Sequence, residues 1–212
     1  MLRLCGKCPQ SVPHILTGCS ALAQSKYLER DNSALKVVFF EPLQDLKLID
    51  SVPPWYSPVR PKSLYDSEDV QASWDVPVFA EHNEFRANRA DAKIVDHQAK
   101  KVTTLEMSCP WIQNLEKKDE EKALKYGPLP RELKQQFKGY RITQYNIIID
   151  ILGGWSSSIK LSLTQLLVMQ RGVKENAELY HLQYFKTLPK LLKLVEHSYK
   201  PHFSYERHVH TF

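Results

Sequence analysis

The 212-residue chain has no apolar run near the ~18–20 residues that span a bilayer, so no membrane-crossing helix organises it. Its opening, "MLRLCGKC", reaches a cysteine too soon for a signal-peptide hydrophobic region. Cysteine is scarce, with 4 residues in all. Without an export signal, an intracellular and reduced protein is expected, and a bound metal accounts for the thiols better than disulfides do. A large charge surplus is also missing, the net charge being +5 and the pI about 8.9. Nucleic acid is compatible with that balance but not required by it. The length allows one core, or a core with a small module.

What is present starts at the N-terminus. The stretch "CGKCPQSVPHILTGC" spaces Cys5, Cys8, His14 and Cys19 as C-x2-C-x5-H-x4-C. A tight CxxC turn lets two thiolates meet one ion, and His14 and Cys19 would complete a tetrahedral zinc shell. The alternative is a set of buried or unrelated thiols beside a chance histidine. So short a stretch builds no core, and metal binding would supply much of its folding energy. Such a knuckle suits nucleic-acid binding better than catalysis, since no position is left open for water. The next residues read as helical. Ala21, Leu22, Tyr27 and Leu28 form an apolar stripe, and Asp31 is the expected N-cap of a segment carrying Leu35, Val38 and Phe39. Between Val52 and Val70, "PPWYSPVRPKSLYDSED" is rich in turn formers and reads as a linker or surface excursion.

A second unit opens with an expected strand in "SWDVPVFAE", where Pro77 suggests an edge or a bulge. In "RADAKIVDHQAKKVTTLEMSC", the polar centre at 97–100 serves as a hairpin loop. That register pairs Asp96 with Lys101, Val95 with Val102, Ile94 with Thr103 and Ala92 with Leu105, leaving Asp91 opposite Glu106. Opposed residues share a face with Cβ atoms ~4.5–5.5 Å apart, and two carboxylates that close repel unless a cation lies between them. Magnesium fits that requirement where phosphate is the substrate, while a solvated surface hairpin is the competing reading.

Downstream, "NLEKKDEEKALKYG" reads as a helix with Asn114 as N-cap and Gly127–Pro128 as its stop. Lys118, Lys122, Lys125 and Tyr126 fall on one of its faces, either solvated or turned towards a phosphate. A further helix in "LPRELKQQFKG" carries Pro130 in its first turn and ends at Gly139. The apolar middle of "YRITQYNIIIDIL" suits a central, buried strand.

The order of knuckle, helical segment, linker, "RAD", "VTTLEMSCPW", "KALKY" and a strand ending in "LGGW" resembles the C-terminal part of site-specific non-LTR retrotransposon polyproteins. Those end in a CCHC zinc knuckle and a restriction-like endonuclease of the PD-(D/E)xK superfamily. The likeness covers roughly residues 1–165. It implies an α+β fold in which a small zinc knuckle and helices precede a mixed β-sheet core flanked by helices. The expected units are a knuckle with helical segment (1–50), a linker (51–70), an endonuclease core (71–155) and a divergent helical or disordered tail (156–212).

Residue by residue, the resemblance makes Asp91 the first catalytic aspartate, with Ala90 in place of the usual proline, and Glu106 the second acidic ligand. The superfamily's strand lysine would fall at Ser108, which cannot serve. Lys122 in "KALKY" matches the helix lysine of this branch, supported by Lys125 and Tyr126. Cys5, Cys8, His14 and Cys19 match the zinc ligands. Asp31 stands where the family carries a histidine. The implied activity is magnesium-assisted hydrolysis of a DNA phosphodiester, with Asp91 and Glu106 holding the ion. The nick would prime reverse transcription on the element's RNA, a further partner through the knuckle. A nuclear protein acting on double-stranded DNA follows, without a membrane.

The family's polymerase domain would precede Cys5, so a truncated copy is expected. After about Gln165 the chain departs from the family, which points to a frameshift or misjoined exon. Leu182–Val195 can form an amphipathic helix, and His197, His202, His208 and His210 crowd the end, as a metal site or as a disordered tail. Two other functions fit the same residues: an inactive nucleic-acid-binding remnant, or a zinc-stabilised protein-interaction domain.

Overall fold

The computed structural model describes residues 5–7, 9, 11–77, 90–168, 189–190 and 193. Its longest helix, α2 (Leu28–Asp45), follows from periodicity, with Leu35, Val38, Phe39 and Leu43 at helical spacing and all at 0% exposure. Glu29 and Asp31 sit in its first turn, where acidic side chains complement the helix dipole. Asp31 is therefore inside the helix and not its N-cap. The chain enters α2 already wound, through the turns His14–Gly18, α1 (Ser20–Leu22) and Ala23–Tyr27, so no helix start exists at residue 31 to be capped. The expected apolar stripe fails too: Ala21 and Leu28 are exposed.

Five strands form one sheet in chain order: β1 (Leu64–Asp66), β2 (Val70–Trp74), β3 (Ala92–Asp96), β4 (Lys101–Ser108) and β5 (Arg141–Ile148). The first four run antiparallel to their neighbours, and β5 lies parallel to β4. A parallel neighbour requires a crossover, which α3 (Leu115–Tyr126) and α4 (Leu129–Gln136) provide. The β3–β4 hairpin has the expected register, from Asp96 against Lys101 to Ala92 against Leu105. Its loop closes as Asp96 Oδ1 accepts the Ala99 amide at 2.7 Å and Lys100 takes a φ of 49°.

Alternation then decides what each face of the sheet meets. Ala92, Ile94, Leu105, Met107, Tyr145 and Ile147 share a buried cluster with α2 and with α5 (Ile159–Val168). Val95 and Val102 point the other way and pack with Leu129 and Leu133 of α4. On that second face β4 also carries Thr104, Glu106 and Ser108, so the sheet presents polar groups beneath α3 and α4.

Several sequence expectations are corrected. The second strand is Val70–Trp74 and stops at Asp75 (φ 53°), so "SWDVPVFAE" overlaps it only at its start; residues 78–81 lie outside the described part. The stretch read as a linker contributes β1, packs Trp55 on the core and offers the Ser57 carbonyl to the Lys36 ammonium. β5 is an outer strand of the sheet, not a central one. Ile147 and Ile148 are buried, and Ile142 half-buried, because α3, α4 and α5 pack on it. The helix expected to run to Gly139 ends at Gln136. Residues 156–168 join the core instead of a tail, since Ile159, Leu163 and Leu166 are at 0% exposure. Of the helix expected over 182–195, Pro189, Lys190 and Lys193 are described and helical, and Lys190 pairs with Glu41 of α2 at 2.8 Å. His197, His202, His208 and His210 lie outside the described residues.

Candidate functional site

Glu106 lies in β4 with no exposed side-chain surface. Extending the hairpin register by one residue beyond Ala92 and Leu105 places Asp91 across from it. The contacts agree, because Asp91 Oδ2 accepts the amide of Met107, the next residue of β4, at 2.8 Å. The crossover brings α3 over the same point. From it Lys122 Nζ donates to Glu106 Oε2 at 2.8 Å and lies 3.8 Å from Asp91 Oδ2. Side-chain exposure rises from 0% at Glu106 to 13% at Lys122 and 33% at Asp91, so the group has a buried base and a mouth open to solvent. A buried carboxylate is tolerated when a cation and hydrogen bonds compensate its desolvation, and Lys122 is placed to do so.

The structure thus brings Asp91, Glu106 and Lys122 together from three elements. It does not bring the other lysines with them. Lys118 pairs with Glu121 at 2.9 Å in partly exposed surroundings, and Lys125 is exposed. Ser108, two residues beyond Glu106, is buried on the same strand. The side chain of Tyr126 lies outside the described residues.

A polar chain missed in the sequence adjoins this group. Glu106 pairs in register with Asn146 of β5, and Thr104 with Gln144. Gln144 Nε2 donates to Asn146 Oδ1 at 3.0 Å, and Asn146 Nδ2 donates to Asp119 Oδ1 on α3 at 3.2 Å. Ser158, just before α5, donates its hydroxyl to Asp119 Oδ2 at 2.6 Å. The sequence carries half a signal for this, since "QYNIII" puts two amides at period 2 in an otherwise apolar run. Asp119 sits in the charge run "KKDEEK", which offers none.

The second centre is N-terminal. Ligand atoms of Cys5, His14 and Cys19 all lie within 4.8 Å of one another, a group able to hold a metal ion; Cys8 lies outside the described residues. Cys5 Sγ and His14 Nε2 are 3.3 Å apart, and the turn before Cys8 uses Gly6 at φ 66°. Tyr27 knits the loop: its hydroxyl accepts the Cys19 amide at 3.0 Å and donates to the Ile15 carbonyl at 2.6 Å. Burial raises the pKa of that phenol, opposed by the Cys19 amide, so it stays a donor at neutral pH.

Arg30 joins the two centres. Its guanidinium donates at 3.0 Å to the Leu16 carbonyl of the loop and at 3.0 Å to the carbonyl of Cys109, which directly follows β4. Asp31 accepts from Arg30 Nε at 2.8 Å. Burial raises the Asp31 pKa against the pull of Arg30. Burial, followed by the negative charge of Asp31, pushes the Cys109 thiol well above its ordinary range, which makes it inert as a nucleophile. A cleft of about 280 Å³ opens here, lined by Arg30, Ser108, Trp111 and Lys117 among others.

The chain matches no family model, no curated protein and no solved structure. No helix among the described residues is long and apolar enough to cross a membrane.

Proposed function

We propose that this chain is the zinc-knuckle and endonuclease region of a site-specific non-LTR retrotransposon polyprotein, and that it nicks double-stranded DNA. One observation carries the reading: Lys122 meets Asp91 and Glu106 on a mixed sheet flanked by helices. These are the residues that motif order assigns to phosphodiester hydrolysis, and they lie far apart in the chain. A solvated hairpin would not bury Glu106 completely under a lysine from a separate helix.

The donor set suits a hard, partly hydrated cation. Asp91 and Glu106 offer carboxylate oxygens, and one-third exposure at Asp91 leaves room for water and phosphate. Magnesium bound there would polarise the phosphate and lower the pKa of an attacking water. The chain's own part follows from geometry. Glu106 and Asp91 would hold the cation and so set where a phosphate oxygen is drawn. Lys122 supplies positive charge beside them, where negative charge builds on the phosphate oxygens in the transition state. Ser108 adds nothing to that charge, so the strand position of the superfamily lysine is functionally replaced by α3. At the N-terminus, two thiols and an imidazole are the donors zinc prefers, and Cys8 is the fourth ligand by spacing. A closed shell of that kind would hold the loop for contact with DNA or with the element's RNA.

The test is magnesium-dependent nicking of supercoiled plasmid by the purified chain. Asp91→Asn and Glu106→Gln should each lower the rate by at least about a hundredfold, as expected for loss of a catalytic metal ligand. Nicking that survives both substitutions would overturn the site. DNA binding without nicking by the wild-type chain would leave the nucleic-acid-binding remnant as the function.

A further inference from the structure

We propose that Asp119 is a positioning residue: through Asn146 and Ser158 it sets the rotation of α3 that delivers Lys122 to the carboxylate pair. The inference rests on the proposed function for what Lys122 does once delivered. Its geometry stands independently.

Lys122 has a long, flexible stem, and holding its ammonium at 2.8 Å from one buried oxygen requires a fixed backbone beneath it. α3 gains little of that fixity from apolar packing. No residue of α3 is fully buried among those with described side chains, and Leu124 is 81% exposed. Its N-cap, Asn114, makes no side-chain capping bond. What holds the helix on the sheet is polar. Asp119 lies three residues before Lys122, one turn away on the same face. Its two oxygens take separate partners from separate elements, Asn146 on β5 at 3.2 Å and Ser158 before α5 at 2.6 Å. Asn146 is the register partner of Glu106, so the residue that receives the lysine and the residue that anchors its helix are neighbours on adjoining strands. Ser158 spends its only hydroxyl proton on Asp119, so Ser156, 3.1 Å away and at 0% exposure, donates to it in turn. The chain from Gln144 to Ser156 therefore clamps α3 at the level of Asp119, one turn from Lys122.

The test reads Lys122 directly. Lysine reductive methylation followed by peptide mass spectrometry on the full chain gives a rate for each lysine. In the wild type, Lys122 should react about tenfold more slowly than Lys117 and Lys125, because its ammonium is hydrogen-bonded to a carboxylate and nearly covered. Asp119→Ala should bring Lys122 to within about threefold of those exposed lysines while their own rates stay unchanged. Ser158→Ala should do so in part, and Asp119→Asn, which keeps an acceptor, should restore most of the protection. The neighbouring lysines separate positioning from collapse, since a melted α3 would raise Lys118 as well. If Asp119→Ala melts the helix, Ser158→Ala and Asp119→Asn carry the test. Wild-type protection of Lys122 in folded Asp119→Ala or Ser158→Ala protein would overturn the proposal. In nicking assays, the same variants should lower kcat with KM for plasmid unchanged. A wild-type chain that does not nick, but whose Lys122 responds as described, would reject the reaction and retain the positioning role.

Discussion

The two polar centres of this molecule are assembled by opposite means. At Asp91, Glu106 and Lys122, strand register and a crossover helix place charged groups around a fully buried carboxylate. At Cys5, His14 and Cys19, no residue of the His14–Gly18 or Ala23–Tyr27 turns is buried, and the loop is gathered by side chains acting on backbone groups, Ser11 and Thr17 within it and Tyr27 and Arg30 from beyond it. The first centre is a product of the core and should persist without an ion. The second touches the core only through Cys19, at 0% exposure, and Leu16, so an ion bound there adds directly to the folding of its loop. Arg30 is where they meet, at the loop on one side and at the end of β4 on the other.

The comparison breaks most sharply at Lys122. Removing one member of a buried ion pair leaves the other desolvated, at a cost of about 3–5 kcal/mol. Lys122→Ala should therefore lower stability by that order in urea denaturation as well as abolish nicking, because Glu106, at 0% exposure in the native structure, loses the cation that compensates its desolvation. The double variant Glu106→Gln, Lys122→Met should recover most of the stability and none of the activity. A single Lys122→Ala variant as stable as the wild type would mean that Glu106 is not held by this pair.

Smaller effects are expected at the loop. Tyr27→Phe deletes the hydroxyl that accepts the Cys19 amide and donates to Ile15. Buried polar groups left unmatched cost about 1–3 kcal/mol each, and partial exposure puts this case at the lower end, about 1 kcal/mol. The loss should appear as roughly fivefold weaker zinc binding in a competition titration, with hydrogen-exchange protection of β3 and β4 unchanged. Equal loss of protection in the strands would show that the two centres unfold as one unit.

How much of this was legible in the sequence depended on whether local pattern or distant contact decided each residue. The hairpin register was legible, because alternation on either side of "HQAK" admits one pairing that keeps Ile94 and Leu105 on the core face. Cysteine and histidine spacing likewise pointed to three residues that now lie within 4.8 Å of one another. The meeting of Lys122 with Glu106 depends on a crossover between two strands, which periodicity cannot rank; motif order supplied it. Asp31 was misread as a cap because composition signals a helix start equally well in mid-helix. β5 was misread as central because an outer strand under three helices has the same apolar run as an inner one. Asp119, Asn146 and Ser158 had no joint signature, since a polar clamp across three elements leaves no spacing rule in the chain.

The finest probe of the junction is the pH dependence contributed by Asp31. Burial raises its carboxyl pKa in the folded state, and Arg30 only partly offsets this. Between the unfolded value, near ~3.9, and the higher folded value, the native state binds more protons at Asp31 than the unfolded state does. Stability from this group is therefore complete below the unfolded value and declines as pH rises through the folded one. Asp31→Asn removes the titration but keeps an acceptor for Arg30 Nε. Its stability relative to the wild type should accordingly improve as pH rises from the unfolded value through the folded one, with the slope bounded by the ~1.4 kcal/mol per pH unit of a single proton. Urea denaturation of both proteins across that range measures the difference. A difference that shrinks with rising pH would mean that Arg30 outweighs burial, and that the junction is a true ion pair bridging loop and strand. The expected sign instead makes Arg30 the group that holds the two centres together, with Asp31 a tolerated companion.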